Sequence, residues 1–165
     1  RVLREHGAVD VHIAGDQEER NKLWEARRQA LPVLARVKPT TVLEDATVPR
    51  SKIPAMMKAI KEIELKYRVD VGTFGHAGDG NLHIVLCKMD MSDEEWEKNV
   101  EEFHQQVYAY AYSVGGRLAG EHGIGAKKLK YMEQFTPKGE LKIMKTIKRA
   151  MDPKDILNPG KVIDA

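Results

Sequence analysis

The feature that most constrains the fold of this chain is a tight turn between two apolar runs. Residues 78–81 read Gly-Asp-Gly-Asn, a composition typical of tight turns because Gly and Asn readily adopt positive φ angles. The runs 69–74 and 83–87, on either side of the turn, are rich in β-branched and apolar residues and are predicted as strands. Two strands joined by so short a connection pair antiparallel, so the centre of the chain is predicted to be a β-hairpin.

Alternation and periodicity predict further elements around this hairpin. Residues 9–13 alternate apolar and polar side chains, and residues 40–48 are largely β-branched or apolar, so both are predicted as strands. Ser51 is expected to cap one helix, and Ser92, followed three residues later by a Glu, to start the longest one. The predicted order is β-α-β-α-β-β-α-α-α. It favours an α+β fold: a ferredoxin-like sandwich with a mainly antiparallel sheet, helices on one face and further C-terminal helices.

Length, charge and cysteine content exclude several classes of protein. The chain has 165 residues, which suits one domain with a hydrophobic core. Its net charge is +2 and it has only 2 Trp, 5 Tyr and 3 Phe, so it lacks the basic surface with interleaved aromatics that binds nucleic acid. A single cysteine, Cys87, excludes an internal disulfide. No apolar run approaches the length of a transmembrane segment.

Two histidines flank the predicted turn. If the hairpin closes symmetrically, His76 and His83 face each other across the strands, with Cβ atoms about 5 Å apart. Two imidazoles so placed can bind one divalent metal ion. Glu121 is the best candidate for a third ligand, because the glycines around it in the segment 120–125 (Gly-Glu-His-Gly-Ile-Gly) allow a close approach of the backbone. The alternative is that both histidines are strand-end residues with ordinary hydrogen bonds.

The neighbouring His122 is a candidate general base. An imidazole that Glu121 holds beside a metal site is a good proton acceptor near neutral pH; the alternative is that His122 caps the helix that follows. The other histidines are predicted to have no catalytic role. His6 lies in the frayed start of the chain, His12 on the polar face of a strand, and His104 on the polar face of the longest helix.

Four segments, taken in order, resemble one known family. They are residues 44–50 (Glu-Asp-Ala-Thr-Val-Pro-Arg), 76–83 (His-Ala-Gly-Asp-Gly-Asn-Leu-His), 120–125 and 152–161 (Asp-Pro-Lys-Asp-Ile-Leu-Asn-Pro-Gly-Lys). Together they resemble the C-terminal domain of the FAD-linked oxidases, and within that family the D-lactate dehydrogenases and the FAD subunit of glycolate oxidase. The resemblance extends from about residue 24 to residue 161, nearly the whole chain.

This resemblance implies a division of labour between two domains. Residues 1–165 would form a single cap domain on the substrate side, and an N-terminal domain, absent from this chain, would hold most of the FAD. In this family two His and one Glu, here His76, His83 and Glu121, bind a divalent metal ion, which is zinc, manganese or iron. The His that follows the Glu, here His122, is the proposed catalytic base.

The same resemblance implies contacts to substrate and flavin. Arg27, in the Trp-x-x-Arg segment 24–27, corresponds to an Arg that binds the substrate carboxylate, as a guanidinium can with two parallel hydrogen bonds. The alternative for Arg27 is a solvated helix charge, and that is the interpretation given to Arg28. Asn158, in the terminal Asn-Pro-Gly-Lys loop, is predicted to contact the flavin.

The implied activity is the oxidation of a D-2-hydroxy acid, such as D-lactate or glycolate, to a 2-oxo acid with hydride transfer to flavin. Members that oxidise diacids have an Asn two positions after the second His, where this chain has Val85, which favours a small or apolar substrate side chain. The electron acceptor is not identified by the sequence. The implied location is the cytoplasm, with any membrane association made through a partner. The chain alone is predicted to be colourless and inactive, and its bare pocket face can form a homodimer.

Two other functions fit part of the pattern. A ferredoxin-like domain can be a non-catalytic assembly or ligand-binding module, because the fold alone does not define a function. Such a module would not need His76, His83 and Glu121 to converge. A self-sufficient metallohydrolase would use the same three residues, but it leaves the terminal Asn-Pro-Gly-Lys segment without a role.

Overall fold

The computed structural model of the protein describes residues 1–38 and 40–164. These residues fall into two compact units, Arg1–Val37 and Lys38–Ala165.

The first unit is helical. It contains α1 (Val2–Glu5), α2 (Gln17–Arg28) and α3 (Ala30–Val37), and none of the three has a buried residue. The side chain of Asp16 caps α2 by accepting the N–H of Glu19 at 2.8 Å, which satisfies one of the free donors at the start of a helix.

The strand predicted at residues 9–13 is wrong. This segment has no regular structure, and Val9 and Ile13 are fully or mostly exposed, at 105% and 82%. A strand needs a partner for its backbone groups, and none of residues 1–37 forms a second strand. His12 is therefore not on a strand face; its Nε2 lies 2.7 Å from a carboxylate oxygen of Glu19.

The second unit combines a sheet with four helices. It also contains a short 3-10 turn (Arg50–Lys52) and a C-terminal tail, residues 152–164, without helix or strand. The elements are β1 (Thr41–Thr47), α4 (Ile53–Tyr67), β2 (Asp70–His76), β3 (Asn81–Cys87), α5 (Asp93–Ser113), α6 (Leu129–Phe135) and α7 (Lys138–Met151). This arrangement confirms the predicted α+β class.

The sheet of the second unit is antiparallel, with the strand order β1-β3-β2. Every residue of the central strand β3 is buried. The hairpin forms as predicted, and Gly80 in its turn has φ +76. Its register differs from the symmetric one: His76 pairs with Asn81, and His83 pairs with Phe74. The loop has four residues, so the two histidines are diagonal neighbours on one face of the sheet rather than directly opposed.

One face of the sheet packs on helices and holds the main core. Alternate residues of β3 point towards α4 and α5, and the other face carries Asn81 and His83. Core side chains from both layers include Met56, Ile60, Leu82, Ile84, Leu86, Phe103, Val107 and Ala111. This confirms the prediction of helices on one face.

The two predicted helix caps have different outcomes. Ser92 caps α5 by accepting the N–H of Glu95 at 3.1 Å, as predicted. The cap at Ser51 is wrong: the 3-10 turn Arg50–Lys52 precedes α4, and the N-cap Lys52 makes no side-chain capping bond. No helix in the described ranges combines the length and the apolarity that crossing a membrane requires.

His104 is not on the polar face of α5. It is 5% exposed, its ring stacks on Tyr108, and its Nε2 lies 3.6 Å from a carboxylate oxygen of Glu44. The position lies four residues after Val100 and four before Tyr108, so it falls on the buried side of the helix. Burial lowers the pKa of His104 to about 4, against the opposing charge of Glu44.

Candidate metal centre

Three side chains that the sequence analysis selected converge beside the hairpin turn. His76, His83 and Glu121 each present a ligand atom, and these atoms all lie within 4.8 Å of one another. The distance to Oε1 of Glu121 is 2.9 Å from Nε2 of His83 and 3.5 Å from Nε2 of His76. The structure thus brings the predicted ligands together, while metal binding itself stays a prediction.

The hairpin determines how the two imidazoles are presented. His83 is 4% exposed, with the ring of its pairing partner Phe74 at 5.5 Å. His76, at the end of β2, is half-exposed and stands nearly perpendicular to His83, with the ring centres 5.3 Å apart. One imidazole is therefore held in place on the buried central strand, and the other lies at the opening of the site.

A buried carboxylate holds the loop that carries the third side chain. Oδ2 of Asp45, in β1, accepts the N–H groups of Gly120, Glu121 and His122 at 3.0, 3.1 and 2.9 Å. Its other oxygen accepts the Gly120 N–H and the side-chain amide of Asn81. Burial alone would raise the pKa of Asp45, but the N–H groups of His122 and Glu121 hold that pKa below its usual range. The carboxylate is therefore charged at neutral pH.

Gly120 is required for this close approach. A Cβ at that position would lie closer than 3.0 Å to the amide of Asn81 and the hydroxyl of Thr47. Any larger residue would push the loop away from the sheet, and Glu121 would move with it.

His122 lies against the same site. Its ring stacks on that of His83 with 4.8 Å between centres, and its Nε2 is 3.7 Å from Oε1 of Glu121. The alternative that His122 caps the following helix is wrong, because α6 begins at Leu129 and its N-cap, Lys128, makes no side-chain capping bond. Its position beside the carboxylate fits the predicted base.

The chemistry of the three donors fits a divalent cation. Burial lowers the pKa of His83, although the charge of Glu121 opposes that shift, so this imidazole is neutral and has a lone pair to donate. Two imidazoles and one carboxylate are a donor set used for zinc, manganese or iron, and they leave coordination positions open. A cavity of about 340 Å³ adjoins them, lined by Thr47, His76, Asp79, Asn81, Gly120 and Glu121.

The other two predicted site residues belong to α2 and to the C-terminal tail. Arg27 is exposed in the last turn of α2, in the first unit. Asn158 lies in the tail with φ +52, where the side chain of Asp152 orders the loop by accepting the N–H groups of Ile156 and Leu157 at 3.1 and 2.9 Å. A cavity of about 360 Å³ beside Asn158 is lined largely by apolar residues of α7 and the tail. The flavin contact of Asn158 itself stays a prediction.

Sequence reasoning missed Asp45, Asn81 and the buried Lys128. Lys128 donates to the backbone oxygens of Asp45 and Leu118, at 2.8 Å each. The signal was present: Glu44 and Asp45 are consecutive carboxylates in the middle of an otherwise apolar or β-branched strand. Such residues are rarely buried without a partner.

Comparisons with known proteins agree with the resemblance seen in the motifs. The sequence model of the family described as "FAD linked oxidases, C-terminal domain" matches residues 1–162. The chain is 47% identical over 161 residues to the glycolate oxidase subunit GlcD of Bacillus subtilis, covering 98% of this chain and 34% of that protein. It is 39% identical over 163 residues to a D-lactate dehydrogenase of Anaerostipes hadrus (98% and 34%). A D-lactate dehydrogenase of Archaeoglobus fulgidus is 37% identical over 163 residues (99% and 35%). The chain thus spans about a third of the length of these relatives.

Proposed function

This chain belongs to the family of C-terminal domains of FAD-linked oxidases, and we propose that it is the substrate-and-metal domain of an FAD-dependent D-2-hydroxy-acid dehydrogenase. The observation that carries the proposal is the convergence of His76, His83 and Glu121, with His122 beside them. A non-catalytic module would not need two imidazoles and a carboxylate to meet at one point. The related proteins are a glycolate oxidase subunit and D-lactate dehydrogenases, so the proposed substrates are D-lactate or glycolate.

The domain would work together with a flavin-binding partner domain. The relatives are about three times as long as this chain, and the part that this chain does not match is the proposed holder of most of the FAD. When bound, FAD supplies the acceptor for the hydride of the substrate. On this chain, the apolar wall beside Asn158 is the proposed contact to the flavin.

The residues of this chain would bind the substrate and move one proton. His76, His83 and Glu121 would hold the divalent ion, which would supply the Lewis acidity that eases removal of an alcohol proton. His122 accepts the proton of the substrate hydroxyl on a ring nitrogen. Arg27 binds the substrate carboxylate through its guanidinium, which fixes the orientation of the α-carbon.

The apolar residue at position 85 supports the proposal that the substrate has a small side chain. Val85 lies two positions after His83, on the same face of β3, and is fully buried. It offers no hydrogen-bond donor to a second carboxylate of the substrate. A monoacid with a hydrogen or a methyl group on the α-carbon suits such a site better than a diacid.

The test is anaerobic reduction of the flavin in the full-length protein that contains this chain. D-lactate or glycolate should bleach the flavin absorbance, prior chelation of divalent metal should abolish the bleaching, and L-lactate serves as the stereochemical control. If the bound flavin is not reduced by any 2-hydroxy acid, the proposed activity is wrong, although the family assignment stands.

A further inference from the structure

The carboxylate of Asp45 has an unusual set of partners. It is 0% exposed and accepts the backbone N–H groups of three consecutive residues, Gly120, Glu121 and His122. Two of these residues are the proposed third metal ligand and the proposed base. The hydrogen bonds between Asp45 and these residues are made by their backbone N–H groups.

We propose that Asp45 is a positioning residue, which fixes the segment 120–122 so that Glu121 and His122 stand in place before the metal binds. This inference rests on the proposed metal centre and adds to it the residue that preorganises it. Three successive N–H groups can point at one acceptor only when the backbone curls around it, so their bonds to Oδ2 define the loop conformation. Glu121 then leaves the loop towards His83, with the carboxylate and imidazole 2.9 Å apart.

The position calls for a carboxylate rather than an amide. An ionised Asp is an acceptor only, with about four lone-pair sites, and here it faces backbone N–H donors and the Asn81 amide. An Asn at position 45 would have one acceptor oxygen instead of two and would turn an N–H₂ group towards some of these N–H donors, which would then lack an acceptor. The loss would relax the loop while the volume of the side chain stayed the same.

The pairing of β1 with β3 links the residue that holds the loop 120–122 to the buried imidazole of His83. Asp45 pairs with His83 across β1 and β3, so the two side chains share one face of the sheet. The residue that holds the loop and the most buried imidazole are thus fixed by one rigid ladder. A change at Asp45 should therefore move Glu121 relative to His83, which is a change in ligand geometry.

The experiment uses Asp45→Asn in the full-length flavoprotein, with Asp152→Asn as the matched control. Asp152 is also a buried carboxylate that orders a loop by accepting backbone N–H groups, but that loop is the tail. Affinity for Co²⁺ is measured by competition with a chromophoric chelator, and the ligand geometry from the absorption spectrum of the bound Co²⁺. Mutation of a residue that orients a metal ligand typically lowers metal affinity about 10–100-fold. We therefore expect Asp45→Asn to weaken Co²⁺ binding by about this factor and to alter the spectrum. Asp152→Asn should lower the melting temperature and leave both metal readouts unchanged.

The outcomes separate the positioning role from general stability and from the proposed activity. Wild-type Co²⁺ affinity and spectrum in a folded Asp45→Asn protein would overturn the proposal, and so would equal losses in both variants. Failure of the wild-type flavin to be reduced by any 2-hydroxy acid would refute the proposed function instead, because the metal readouts do not depend on turnover.

A second measurement needs no variant and remains decisive if Asp45→Asn does not fold. Hydrogen exchange of segment 120–122 is followed in the metal-free wild-type protein. Protection of these three amides is expected, because a buried carboxylate accepts them before any metal is present. Exchange at the rate of an unprotected peptide would overturn the proposal.

Discussion

Nε2 of the buried His83 lies 2.9 Å from Oε1 of Glu121, although one residue comes from the central strand and the other from a loop after α5. Neither segment could form the site alone. The strand holds the buried imidazole on one face of the sheet, and the loop brings the carboxylate of Glu121 to it. The contact gives the candidate site its specific geometry.

Replacing His83 by Ala should remove the metal. Two ligands remain, and two ligands hold a divalent ion far more weakly than three. The full-length protein should lose its bound metal after dialysis, and anaerobic flavin reduction should be slower by at least about 100-fold. Elemental analysis and stopped-flow absorbance measure the two effects.

The matched control for this loss is His6→Asn. His6 is exposed in the first unit, where its Nδ1 lies 3.0 Å from the carbonyl oxygen of Val2. This variant should keep wild-type metal content and reduction rate. Full metal content in His83→Ala would show that the cluster is not the metal site.

Replacing His122 by Asn should separate proton transfer from binding. The imidazole stacks on His83 and lies near Glu121, but it is the proposed base rather than a ligand. General-base catalysis contributes typically about 10²–10⁴-fold, so flavin reduction should slow by that factor. The dissociation constant for the substrate and the metal content should stay close to those of the wild type. A near-normal rate of flavin reduction would refute the assignment.

Two Gly→Ala substitutions should have opposite effects on stability. At Gly120 the new methyl group would overlap Asn81 and Thr47, whereas at Gly139, in the first turn of α7, nothing lies within 4 Å of the new methyl group. Gly120→Ala should lower the melting temperature and weaken metal binding. Gly139→Ala should stabilise the protein by about 0.5 kcal/mol, because Ala loses less backbone entropy on folding. Thermal unfolding of both variants checks the prediction, and equal effects would contradict it.

Local signals in the sequence predicted several parts of the fold correctly. The hairpin turn, which occupies residues 77–80 rather than the predicted 78–81, and the cap at Ser92 were identified because a few neighbouring residues determine such structures. The strand at 9–13 was wrong because alternation reports only that a segment could be half-buried. A strand also needs a pairing partner, and that depends on the rest of the chain.

The residue types in the sequence predicted which side chains form the candidate site, but they did not predict its geometry. The pattern of His and Glu between glycines selected the side chains that converge. It did not give the register that makes His76 and His83 diagonal neighbours, because a four-residue loop shifts the pairing. It also did not identify Asp45, whose partners are backbone N–H groups distant in sequence. Backbone contacts of this kind have no signature in the identity of the residues that make them.

The buried His104 predicts a loss of stability in mild acid. Burial holds the pKa of His104 at about 4 in the folded protein, against about 6.5 when it is exposed. The unfolded chain therefore binds a proton that the folded protein does not, so stability falls as the pH drops from about 6.5 towards 4 and levels off below that range.

His104→Phe should remove this pH dependence, because it keeps a ring next to Tyr108 and takes away the titrating group. The lowering of the His104 pKa from about 6.5 to about 4 corresponds to a change of at most about 3 kcal/mol in the free energy of unfolding. The urea-unfolding free energy of the wild type should thus fall more steeply between pH 6.5 and pH 4 than that of the variant. The exposed His6→Asn variant should follow the wild type. If His104→Phe showed the wild-type slope, the proton taken up on unfolding would have to bind to a group other than His104. Glu44, whose carboxylate faces His104, would then be the next residue to replace.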